Sequence, residues 1–174
     1  MRKLIAAIFL ITALLLANAG VTHGQERLSA GSATFRKNSE SDEPDYRAQN
    51  LKNFLEEFNS PLTDYADEFV ASADKYGLDY RLVPAITGVE STFGKQIPEN
   101  SYNAYGWANG AYSFESWEDS IDHVSMTLRT KYIDKGAPTI AKMARRYAPP
   151  SSTWAGKVRY FVGKIDKLPV SFDI

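Results

Sequence analysis

The chain has 174 residues, 44% of them hydrophobic and 13% aromatic, which is enough apolar mass for one compact core and too little length for two ordinary domains. Its formal net charge of -1 is not the balance of a nucleic-acid binder. The absence of cysteine excludes disulfides and thiol nucleophiles, and His123 is the only histidine outside the leader, so a zinc site is nearly excluded and no metal or cofactor is expected.

Residues 1–24 read as a signal peptide. Arg2 and Lys3 form a basic start, "LIAAIFLITALLLA" is an unbroken apolar run, and Ala17-Asn18-Ala19 offers small residues at a cleavage site, with Thr22-His23-Gly24 as a second. An uncleaved anchor is the alternative, but the run is shorter than the ~20 residues that span a bilayer. The expected location is outside the cytoplasm: secreted, periplasmic or cell-wall associated, with no membrane span after cleavage. Residues 25–47, rich in Ser, Gly and charge, read as a flexible linker. Residues 48–168 form the expected domain, and 169–174 a C-terminal tail.

Leu51, Phe54, Leu55 and Phe58 mark a first helix. Ser60-Pro61 then suits an N-cap followed by proline, opening a second helix with Leu62, Tyr65, Ala66, Phe69, Val70 and Ala73 on one face and Gly77 as a left-handed cap. A third helix, capped by Asp79, carries Leu82, Val83, Ile86 and Val89, with Phe93 extending the stripe. Glu90 falls at the edge of that stripe, in the last turn. Partial burial and the helix dipole both favour its protonated form there, the state a general acid needs.

From Ser91 to Trp117 the helical period is lost. Asn109-Gly110 between two aromatic stretches predicts a small β-hairpin, whose Asn103, Tyr105 and Trp107, with Tyr102 and Tyr112, offer the polar groups and flat faces that hold sugar rings. Helices then resume. Ser116 and Asp119 read as a capping box, and Trp117, Ile121, Val124 and Leu128 as a core stripe beside a structural His123. Ile140, Met143, Ala144 and Tyr147 mark a further helix stopped by Pro149-Pro150; Trp154, Val158, Phe161, Val162 and Ile165 mark the last. The expected fold class is α+β, predominantly α. From Thr127 to Lys167 there are ten Lys or Arg against two acids, a balance suited either to an anionic polymer or simply to solvated helix faces.

The stretches "ADKYGLDYRLVPAITGVESTFGK", "YNAYGW", "FESWEDSIDHV", "TIAKMARRYAPP" and "W..KVRYFV" resemble, in order, the lysozyme-like superfamily, and within it the lytic transglycosylases and endo-β-N-acetylglucosaminidases that cut peptidoglycan. The resemblance implies a lysozyme-like helical domain with a small β-hairpin, peptidoglycan glycan strands as partner, and a monomer. Residue by residue it implies Glu90 as the catalytic acid with Ser91 beside it, Asn103 to Gly106 as a groove motif, and Tyr147 near the carboxyl. Two motifs depart from it: "NAYGW" stands where transglycosylases have Gly-Leu-Met-Gln, and Ala-Pro-Pro follows Tyr147 in place of Asn-Ala-Gly. The first brings the chain nearer the glucosaminidases, and the cleaved bond stays open.

The expected function is therefore a peptidoglycan glycosidase using one glutamate as acid and then base. The glycan product ends either in a 1,6-anhydro sugar, slightly favoured, or in a reducing end. Glu99, Glu115, Glu118 and Asp119 are candidates for a second carboxyl. The alternative is an inactive lysozyme-like module that binds glycan, or an envelope assembly factor.

Overall fold

In the computed structural model residues 45–166 are described. The expected signal peptide, the tail 169–174 and the linker up to residue 44 lie outside them. The described chain is predominantly helical, with six α-helices: α1 Arg47–Glu57, α2 Ala66–Tyr76, α3 Leu82–Ser91, α4 Trp117–Thr127, α5 Ile140–Tyr147 and α6 Trp154–Ile165. None of the described helices is long and apolar enough to cross a membrane.

α1 buries Leu51, Phe54 and Leu55. The entry to α2 differs from the expected proline-led start. The Ser60 hydroxyl accepts from Leu62 N at 3.0 Å, and a 3₁₀ turn at Thr63–Tyr65 intervenes before α2 begins at Ala66. Ser60 also donates to the Phe93 carbonyl at 2.8 Å, so the turn is tied to the end of α3 rather than serving only as a cap. α2 closes as expected on Gly77, left-handed at φ 62°, with Leu78 N returning to the Ala73 carbonyl at 2.9 Å.

Two helix pairings build the body: α2 against α4 and α3 against α6. Trp117, Ile121, Val124 and Leu128 are all buried, the stripe expected of α4. Ser116 caps it by accepting from Asp119 N, while the Asp119 carboxylate reaches back to Glu115 N, one residue earlier than a capping box requires. α4 then runs without a break into a π-helical turn, Leu128–Ile133.

α3 ends one turn earlier than its apolar stripe suggests. Thr92, Phe93 and Gly94 all take left-handed φ, at 53°, 58° and 79°. Phe93 therefore leaves the helix and folds back over it. Gly88 makes room: a β-carbon there would lie 2.6 Å from the Phe93 ring. The ring meets Phe54, Phe58 and Phe161 at centroid distances of 5.4, 4.4 and 5.0 Å, joining α1, α3 and α6 in one aromatic cluster.

The expected β-hairpin is not formed, and no strand occurs among the described residues. Asn109 and Gly110 do take the positive φ that the dipeptide favours, at 55° and 83°, but Ala108 is left-handed as well and the segment Trp107–Gly110 winds into a short turn. The flanks do not pair because the Asn103 side chain takes their place. Its Nδ2 donates to the carbonyls of Trp107 and Tyr112, each at 2.9 Å, and its Oδ1 accepts from Trp107 N at 3.0 Å. One backbone bond, Phe114 N to the Ser101 carbonyl at 2.9 Å, closes the loop.

Candidate functional site

Glu90 lies in the last turn of α3, half-buried. Its two carboxyl oxygens have different surroundings. Oε1 accepts from the indole Nε1 of Trp154 at 2.6 Å. Oε2 lies against Gly106, 2.9 Å from where a β-carbon would stand, so only glycine fits beneath the carboxyl. Gly106 is also left-handed, at φ 66°. Burial raises the Glu90 pKa above the usual carboxylate value, and the Trp154 hydrogen bond pulls it partly back.

Trp154 is held in turn. Its backbone N–H donates to the Ser151 hydroxyl at 3.1 Å, and its ring stacks on Tyr147 at 5.0 Å with 27° between planes. The Tyr147 hydroxyl donates to the Tyr105 carbonyl at 2.6 Å. Burial, reinforced by the negative charge of Glu90, pushes the Tyr147 pKa well up, so this phenol stays neutral. The Pro149-Pro150 pair ends α5 immediately after Tyr147 and its cap residue Ala148, which fixes where that ring projects.

A cleft of about 280 Å³ adjoins this cluster, lined on one side by the segment from Tyr105 to Asn109 and otherwise by Tyr132 and Tyr147. Gly106 is thus common to the cleft and to the Glu90 carboxyl. Glu90 does not itself line the cleft. Trp107 stands at its edge, backed by Phe114 and by His123, whose ring meets it edge-on at 5.4 Å.

Of the residues expected to touch a sugar, Trp107 and Tyr147 border the cleft. Ser91, Asn103 and Tyr105 have interior roles instead, at 2%, 3% and 0% exposure. The Ser91 hydroxyl accepts from Gly94 N at 3.0 Å and lies 2.8 Å from the Ala104 carbonyl, to which it donates, fastening the end of α3 to the loop. Asn103 is spent on the loop bonds described above. The Tyr105 ring is in the core, its hydroxyl has no hydrogen-bond partner of good geometry although Ser120 lies close, and its carbonyl is taken by Tyr147. These three frame the site rather than presenting polar atoms to a ligand. Tyr102 packs edge-on against Trp117 at 5.4 Å.

Trp154, Gly106 and Tyr132 are the participants that sequence reasoning missed. Trp154 sits at core spacing on α6, and that pattern reports burial without saying which polar atom the indole meets. Gly106 belongs to the quoted groove stretch, but its reason for being glycine is a carboxyl on a different element.

Compared with protein-family models the chain matches none, and no curated protein matches it.

Proposed function

We propose that the protein is an exported peptidoglycan glycosidase of lysozyme-like fold, in which Glu90 acts as general acid and then as general base. What supports this reading most is the inequality of the two Glu90 oxygens. Oε1 is occupied by the Trp154 N–H, so the proton of the neutral acid belongs on Oε2, the oxygen beside the cleft-lining Gly106. The raised pKa supplies that neutral form.

In the first step Oε2 gives its proton to the glycosidic oxygen as the bond to the anomeric carbon breaks. The glycan beyond the cut leaves as an alcohol. No second carboxyl lines the cleft among the described residues, so the developing positive charge falls to the sugar's own groups rather than to a carboxylate nucleophile. Glu90, now charged, takes a proton either from the muramic 6-hydroxyl, closing a 1,6-anhydro ring, or from water, leaving a reducing end. The aromatic walls at Trp107, Tyr132 and Tyr147 favour the first by limiting water.

Zymography on peptidoglycan gels tests the reading. A lytic band lost in Glu90→Gln is expected, and activity should fall as pH rises through the raised pKa, because the acid form is consumed. Digestion in heavy-oxygen water separates the two endings: unlabelled fragments lighter by one water mean ring closure, and label at new ends means hydrolysis. Because Glu90 does not line the cleft, a glycan-binding module without catalysis is the second reading, and retention of glycan without lysis by the unaltered chain would select it.

A further inference from the structure

The Lys and Arg residues are divided unevenly along the described chain. From Asp45 to Thr127 there are five Lys and Arg against fourteen acids, whereas from Leu128 to Asp166 there are nine against two. Their pairing is equally uneven. In the first stretch Arg47, Lys52, Lys75 and Arg81 all form ion pairs with aspartates. In the second, Arg129 with Asp134 is the one ion pair among the described residues that involves a cation of that stretch.

Three of these unpaired cations border the cleft. Lys131 precedes Tyr132 and Arg146 precedes Tyr147, the two cleft-lining tyrosines, whose ring centroids are 6.1 Å apart. The Arg146 guanidinium spans the end of the π-turn, donating to the Lys135 carbonyl at 2.7 Å and to the Lys131 carbonyl at 3.4 Å. Its charge is felt at the Tyr132 hydroxyl, where it offsets part of the rise that burial causes. Lys131, Lys135 and Arg146 are all exposed. The remaining cleft residues, from Tyr105 to Asn109, carry no charge.

We propose that the Lys131, Lys135 and Arg146 rim receives a carboxylate borne by the glycan, so that the cleft takes a carboxylate-bearing muramyl strand in preference to a neutral polymer of the same sugars. The proposal rests on the peptidoglycan reading and specifies its substrate. An uncharged glycan gains nothing from three cations that lack internal partners. A muramyl strand carries carboxylates on its lactyl groups or peptide stems, beside the ring that occupies the cleft. Exposed pairing of this kind is weak per contact and sensitive to salt, because ions screen it over about 10 Å at 0.1 M.

The test is co-sedimentation of the mature chain, carrying Glu90→Gln so that the glycan stays intact, with native peptidoglycan and with peptidoglycan whose carboxyls have been converted to amides. At low salt the native material should bind about tenfold more tightly, and added salt should close the gap. The double variant Lys131→Ala and Lys135→Ala should lose most of that preference while binding amidated material as before. Arg146 is left in place because it holds the π-turn. Lys52→Ala with Lys95→Ala, which changes net charge equally, should keep the preference. Equal binding to native and amidated peptidoglycan, or equal loss in the two double variants, would overturn the rim while leaving the peptidoglycan reading standing. Failure to bind either material would overturn both.

Discussion

The α2–α4 pair and the segment from Thr92 to Phe114 are held together by different physics. The helices rest on apolar burial spread over many side chains: Phe69, Ala73, Ile121 and Val124 are each almost fully enclosed. The segment has little repetitive backbone bonding and depends on a few polar side chains, Ser91 and Asn103 foremost, together with left-handed residues at its turns. Distributed burial tolerates the loss of one member by degrees. A frame of single bonds fails locally, and it fails where the candidate site is.

Paired substitutions sharpen that contrast. Ile121→Ala in α4 should cost about 2–5 kcal/mol of global stability, read by denaturant unfolding, with the cleft's affinity for glycan little changed once the protein is folded. Asn103→Ala should cost about 3 kcal/mol, since three backbone groups lose their partner, and its effect should appear first as faster hydrogen exchange at Trp107 and Tyr112. Similar exchange behaviour in the two variants would break the distinction.

Gly106→Ala comes next. The new β-carbon would stand 2.9 Å from Glu90 Oε2 and force the carboxyl aside, so lysis should drop on the order of 100-fold, beyond what the lost stability explains. Thr92→Gly works in the opposite direction. Relieving a β-branched residue of φ 53° should raise stability by about 1 kcal/mol or less, because glycine's greater freedom when unfolded offsets part of the gain.

The smallest expected effect is on stability in Glu90→Gln. Glu90 is raised above its unfolded pKa, so the folded state binds its proton more tightly, and stability declines as pH climbs from the unfolded value through the folded one. Glutamine can still accept from Trp154 but is never charged. The variant should therefore melt above the unaltered chain at neutral pH, and the difference should vanish below the ordinary carboxylate range. An equal difference at all pH values would mean that burial of the charge is not the cause.

The same contrast governs what was legible in the sequence. Helix existence was, because Leu51, Phe54 and Leu55, or Trp117 through Leu128, repeat at helical spacing, and Gly77 and Ser116 mark ends by local chemistry. The position of Glu90 at a buried helix end was legible for the same reason. The segment was not. Asn109-Gly110 correctly signalled positive φ, but whether its flanks pair depends on Asn103, whose bonding is a tertiary outcome. Phe93 sat in register with α3 although three left-handed residues had already ended the helix. Trp154 meets Glu90 across 64 positions, a distance at which spacing rules carry no information.

The π-turn at Leu128–Ile133 bears on how the chain would answer a change in length. A π-turn holds one residue more than the α-helical turn it replaces, so it behaves as an insertion absorbed without breaking the helix. Deleting a single residue there would let α4 rewind as continuous α-helix and rotate the chain beyond the turn by roughly 100° about the axis. Tyr132 would swing out of the cleft wall and Arg146 would lose the carbonyls it spans. One codon removed, far from Glu90 in the chain, would then dismantle a wall of the cleft while leaving every other residue of the protein in place.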